Sequence, residues 1–138
     1  MRDEIIAVKL AQLRSASAKE RASAAQFFAG LGNSGDAAAA AVPLVEACND
    51  PDEQVRQWAD GALENLGPPR AGDVAALVAI LDRNEPNTAY WSATLLGRLG
   101  SQAASARPAL LKAAAQEKHP NVAKRASWAL KKLDEQDT

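Results

Sequence analysis

Reactive side chains are scarce in this chain: 138 residues hold one cysteine, Cys48, and one histidine, His119. A single cysteine excludes an intrachain disulfide. A single histidine, before a proline and with no second His or Cys, leaves no zinc-type ligand set. Glycine-rich phosphate loops, G-x-S-x-G elbows and His-Glu pairs are absent, so no sequence motif for nucleotide binding, acyl transfer or metallohydrolysis is present. The carboxylates Asp50, Asp52 and Glu53 share one turn but lack calcium-loop spacing. No apolar run approaches the ~20 residues of a membrane span. Acids at Asp3 and Glu4 depart from a secretion signal, and the expected setting is cytoplasmic. A basic excess is also missing: the net charge is −1 and the pI near 5.8, which argues against a general nucleic-acid binder. Residues 1–70 carry 7 basic and 10 acidic side chains and residues 71–138 carry 9 and 7, an asymmetry too small to define a partner.

Aromatic residues make up only 4% of a chain that is 47% hydrophobic, because alanine dominates the apolar set. Alanine is the best helix former and lets helices approach closely, so an all-α fold is expected. Read in order, residues 3–14 carry Ile5, Ile6, Val8, Leu10 and Leu13 at helical spacing. Ser17 and Glu20 form a candidate capping box for a second helix ending at Leu31-Gly32, with Ser34 or Asp36 as the next cap. A third helix over 36–48 contains Pro43, which predicts a kink. Asp50-Pro51-Asp52-Glu53 is a start signal, with Asp50 as cap and Pro51 at the first helical position. The fourth helix then runs to Leu66 and stops at Gly67. Pro68-Pro69-Arg70-Ala71-Gly72 is the clearest break. Helices over 73–82, about 86–99, 102–116 (with Pro108) and 121–133 complete eight.

Stop glycines Gly32, Gly67 and Gly100 lie 35 and 33 residues apart, the spacing of a helical repeat. Superimposing the second helices aligns Leu31, Leu66, Leu99 and Leu133; Phe28, Leu63, Leu96 and Leu130; Phe27, Ala62, Leu95 and Ala129; and Ala24, Ala59, Ser92 and Ala126. One domain, 1–138, of four helical hairpins is therefore expected, with units near 1–33, 34–69, 70–100 and 101–138. No hairpin is large enough to bury its apolar faces alone, so neighbours must stack.

The pattern Asp50-Pro51-x-x-x-Val55-Arg56-x-x-Ala59-x-x-Ala62-Leu63-x-x-Leu66-Gly67 resembles the HEAT-repeat family, in particular the short bacterial type also seen in phycobilisome-lyase-like proteins. Weaker copies run from Arg21 to Gly32, Trp91 to Gly100 and Val122 to Leu133. The resemblance implies an α-solenoid, kinking prolines at Pro43 and Pro108, and a concave face lined by second helices. It also implies a turn aspartate and an arginine six residues later that ladder between repeats. Asp50 and Arg56 supply both in the second unit alone; the first has Arg21 with Ser15, the third Asp82 with Thr88 and Ala89, and the fourth Glu117 with Ala123.

On that concave face the helical projection places Trp58, Trp91 and Arg125 in one column, with Gln57, Tyr90 and Lys124 beside it. Trp58 and Trp91 fall at the edge of the apolar stripe, where they either fill gaps between alanines or meet a partner. Trp128 projects about 140° from the stripe centre, which predicts exposure and an interface anchor or further packing. Lys124, Arg125, Lys131 and Lys132 form a basic cluster, read as a solvated face or as a site for an anionic peptide or phosphate. Cys48 reads as a buried, inert thiol. The leading functional expectation is a non-catalytic scaffold that binds an unidentified protein or peptide, without cofactor or metal, through Gln57, Trp58, Tyr90, Trp91, Lys124, Arg125 and Trp128. The alternatives are a bilin-lyase-like or enzyme-associated subunit and, lower, a nucleic-acid binder. The apolar first helix and Trp128 allow a monomer or weak end-to-end association.

Overall fold

The computed structural model describes residues 2–135. The fold is all-α, an α-solenoid type of four helical hairpins, and the chain divides into two compact units, Met1–Gly67 and Pro68–Thr138. The division falls at the Pro68-Pro69 break read from the sequence.

The first unit holds α1 (Arg2–Gln12), α2 (Ala18–Leu31), α3 (Ala41–Ala47) and α4 (Glu53–Asn65). Its most extensive contact is between the two second helices, α2 and α4, and α1 and α3 pack behind them on α2 and α4 respectively. Ala24, Ala25, Phe28, Leu44, Val45, Val55, Ala59 and Leu63 are fully enclosed. The second unit repeats the plan with α5 (Val74–Asp82), α6 (Pro86–Leu99), α7 (Arg107–Ala115) and α8 (Pro120–Asp134). Here α6 packs on α8, with α5 and α7 behind, around Leu77, Ile80, Leu95, Leu96, Leu110 and Val122. The four aligned columns are the core-facing positions. Ala24, Ala59, Ser92 and Ala126 all have zero exposure, while Leu31, Phe27 and Leu130 are only half-buried.

Several local expectations are corrected. Residues 36–48 are not one bent helix: a 3₁₀ segment, Gly35–Ala40, precedes α3, so neither Ser34 nor Asp36 caps an α-helix. Pro43 lies in the first turn of α3 and Pro108 in the first turn of α7, after the 3₁₀ segment Gly100–Ala106. A first-turn proline gives up an N–H that has no intrahelical acceptor, so it costs no hydrogen bond and need not kink the helix. Asp50 is not the cap of α4. Asp52 is, its side chain accepting the Val55 N–H at 3.0 Å. Ser17 caps α2 as expected, accepting the Glu20 N–H, but the return arm is relayed. The Glu20 carboxylate accepts from Ser15 Oγ at 2.6 Å, and Ser15 Oγ accepts the Ser17 N–H at 3.0 Å.

The stop glycines also differ among themselves. Gly32 and Gly100 sit at φ of 60° and 63°, a region that disfavours any side chain bearing a Cβ. Gly67 does not. It lies against Asn33, whose Oδ1 is 2.0 Å from where a Gly67 Cβ would stand, so close approach, not dihedral, sets that position.

Asp50 is instead a rung between the two hairpins of the first unit. It accepts from Arg21 Nε at 2.8 Å and Nη2 at 3.1 Å, and from the Asp52 N–H. Arg21 Nη1 donates to the Ser15 carbonyl, six residues before it, and Arg56 Nη1 donates in the same way to the Asp50 carbonyl. Burial opposes the Asp50 charge, but the hydrogen bonds from Arg21 and the Asp52 N–H and the nearby Arg21 and Arg56 charges outweigh it, holding the carboxyl below the usual range.

Candidate functional site

The second unit carries an open depression of about 490 Å³ between α6 and α8, lined by Tyr90, Asn121, Lys124, Arg125 and Trp128. Four of these five were candidate site residues in the sequence. Helical spacing brings them together. On α8, Asn121, Lys124, Arg125 and Trp128 recur at intervals of three or four, so they share one face, and Tyr90 faces them from α6.

Arg125 is the centre of the site. Its Nη2 donates to the Tyr90 hydroxyl at 2.8 Å. Its guanidinium carbon lies 4.9 Å from the Tyr90 ring centroid and 4.7 Å from that of Trp128, so the cation is held against two π-faces. Lys132 approaches the Trp128 ring at 5.8 Å and reaches Glu135 at 3.4 Å. The Tyr90 backbone is itself braced, its carbonyl accepting from Thr94 Oγ1 at 2.8 Å.

Trp128 is not exposed as its helical projection predicts; it is half-buried. The reason lies on α6. A Cβ at Gly97 would stand 2.4 Å from Trp128 Cζ3 and 3.1 Å from the Ala129 Cα. Missing that one carbon, α6 offers a slot into which the indole lies, and α8 closes in with it. A projection of α8 alone has no access to a glycine on its neighbour.

The expected column does not persist within this unit. Trp91 is only 8% exposed, its ring edge-on to Tyr90 at 5.4 Å with Arg98 5.8 Å from the centroid, and it lies outside the depression. Arg125 pairs with Tyr90, not with Trp91. Trp58 is 39% exposed, and both it and Gln57, which donates to Glu53 at 3.2 Å, stand on α4 in the first unit and are not among the lining residues. Asn121, in the first turn of α8, is the one lining residue outside the expected set. Its position four residues before Arg125 was the available clue. The basic cluster divides: Lys124 and Arg125 line the depression, Lys132 lies beyond Trp128, and Lys131 is exposed.

Other reactive groups have structural duties. Cys48 is buried, and burial first, then the Asp60 carboxylate that accepts its S–H at 3.2 Å, push the thiol pKa far up, away from the nucleophilic thiolate. The His119 backbone is clamped by the Gln116 side chain, which accepts from its N–H and donates to its carbonyl, each at 2.9 Å. Among the described residues no group of three His, Cys, Asp or Glu is placed to hold a metal ion, and no helix is long and apolar enough to cross a membrane.

Comparison with known proteins supports this picture of the fold. The HEAT_2 family, described as HEAT repeats, matches residues 74–138, the part of the chain that contains the depression. Two crystal structures of engineered proteins are similar, each at a TM-score of 0.63. One is 21% identical, with 92% of this chain and 62% of that chain covered, and the other is 20% identical, with 93% and 62% covered. The chain thus spans less than two thirds of those proteins, and the likeness concerns fold alone. No curated protein matches the sequence.

Proposed function

We propose that this chain, whose residues 74–138 match the HEAT-repeat family, is a non-catalytic protein-interaction module that binds its partner on the second-helix face of the second unit. One observation carries the reading: a guanidinium held between Tyr90 and Trp128 at the wall of an open depression. Tyr, Trp and Arg are the residue types that concentrate binding energy at protein interfaces, because each buries large area with a polar or charged edge. Here all three are already positioned, so little side-chain entropy is lost on binding.

The absence of catalysis in this proposal is supported by what the perturbed groups do. Arg21 and Asp50 hold each other across a hairpin junction, and Cys48 is driven away from its ionised form. Neither arrangement readies a group for proton transfer or attack.

The test is site-specific photo-crosslinking in extract of the source cell. A photoreactive residue at Lys124, exposed beside the depression, is compared with one at Leu111, exposed on α7. A discrete adduct from position 124, missing from position 111 and lost when Trp128 is changed to Ala in a folded protein, supports the reading. Equal adducts from both positions, or none, overturn it.

A further inference from the structure

The depression also has a chemical preference, which rests on the interaction reading above. No Asp or Glu lines it. The acids at the end of α8 are taken, Asp134 by Arg107 and Glu135 by Lys132, and residues 120–133 contain none. Arg125 is half-buried, yet its one hydrogen bond among the described residues goes to the Tyr90 hydroxyl. A guanidinium offers five N–H donors, so most of its fork is unfilled by the described residues. Lys124 and Asn121 are exposed beside it, and neither makes a hydrogen bond or ion pair with a described residue. No carboxylate among the described residues pairs with this half-buried cation, and the two π-faces interact with it only in part. The lining therefore presents positive charge and N–H donors, a surface that complements an anion.

We propose that the depression between α6 and α8 captures a carboxylate of an acidic peptide segment, on the free edge of Arg125 with Lys124 as the second cation. The planar fork of arginine matches a carboxylate bidentately, and the flanking rings restrict how that fork can turn. Asn121 offers an amide NH2 and a carbonyl oxygen, a donor–acceptor pair that a peptide backbone complements. The Trp128 ring gives an apolar side chain beside the acid a surface to cover. Nucleic acid is the poorer occupant: it needs a long basic stripe that neutralises many phosphates, whereas the depression supplies two cations in a chain of net charge −1.

The experiment is a nuclear magnetic resonance titration of the whole chain with acetyl-Asp-Glu-Leu-amide, following the Arg125 Nε–H and the α8 backbone amides. Its comparison arms are acetyl-Asn-Gln-Leu-amide, a phosphoserine tripeptide and a short single-stranded DNA. Saturable shifts at Arg125 with the acidic peptide, weakened about tenfold or more with the amide isostere as loss of a charge-assisted bond requires, support the proposal. Lys124→Glu, at an exposed side chain with no partner among the described residues, keeps the fold and weakens the acidic peptide by a similar factor; Arg125→Lys keeps the charge but loses the fork and also weakens it. Equal binding of the amide isostere, tighter binding of the phosphopeptide or DNA, or no shift in α8 overturns the proposal. If crosslinking persists in Arg125→Gln with the photoreactive group placed at Asn121, so that Lys124 is kept, the interaction surface stands and the carboxylate preference alone fails. If no adduct forms at either position, both fail.

Discussion

Replacing Thr88 by Val and Ser92 by Ala is expected to stabilise the second unit, against the usual direction of core mutations. Both residues lie on α6 with zero exposure, and neither hydroxyl has a hydrogen-bond partner among the described residues. The repeat itself names the remedy. Thr88 stands where α4 and α8 have Val55 and Val122, and Ser92 stands where they have Ala59 and Ala126, all enclosed to within 1%. A buried hydroxyl left unbonded costs about 1–3 kcal/mol of desolvation, and Thr→Val removes it at nearly constant shape. Ser92→Ala recovers a similar term, less the few dispersion contacts of the lost oxygen. The sites are four residues apart on one helix, so the double variant is expected to fall short of the sum. In urea, with a slope of about 1–3 kcal/mol/M, a gain of about 1 kcal/mol raises the midpoint by several tenths of a molar unit at unchanged slope. The reverse change, Val55→Thr, serves as control and should lower the midpoint by a comparable amount. A lower midpoint for Thr88→Val would refute the reasoning: it would mean that the hydroxyl is bonded, through a buried water or a backbone carbonyl, and that the polar pair contributes to α6 packing.

Four further outcomes follow from the same structure. Gly97→Ala should displace the Trp128 indole, because the new Cβ overlaps it and the Ala129 backbone limits retreat. Overpacking of about 1–3 kcal/mol exceeds the ~1 kcal/mol gain in helix propensity, and tryptophan fluorescence should change with it. Gly32→Ala and Gly100→Ala should each cost about 1–2 kcal/mol for forcing a left-handed φ, whereas Gly67→Ala should cost less because the Asn33 side chain can swing aside; thermal melts distinguish them. Asp50 has a lowered carboxyl pKa in the fold, so it contributes stability above its unfolded value of about 3.9 and loses it as pH falls through the lower folded value. Asp50→Asn should therefore lower stability near neutral pH, and its deficit against the parent should shrink on acidification below about pH 4. Cys48 should react with a disulfide reagent no faster than the first unit opens, and a prompt reaction of the native protein at pH 8 would contradict its burial.

The sequence was sufficient for much of the architecture because helix formation and repeat register are local and periodic. The stripe Val55, Ala59, Ala62, Leu63, Leu66 is the buried face of α4 with its end residue, and copies at 33–35 residue intervals could be aligned without coordinates. Cap chemistry was legible at Ser17 for the same reason. It failed at Asp50, where Asp50 and Asp52 both suit a cap and the choice was made by Arg21, 29 residues earlier in the chain. The kinks expected at Pro43 and Pro108 failed because a proline's cost depends on where the α-helix starts, and a 3₁₀ segment moved each start forward.

The candidate site shows the same boundary. Composition, glycine spacing and helical projection determined an all-α repeat and its core columns, and offered Lys124, Arg125 and Trp128 on α8 as separate candidates. Only tertiary structure decided that Trp128 turns into the slot at Gly97, that Arg125 reaches Tyr90, and that Trp91 is enclosed. Those outcomes depend on the partner helix: a missing Cβ, a hydroxyl across the interface and a covering guanidinium are invisible to a projection of one helix, because it carries direction but not what lies opposite.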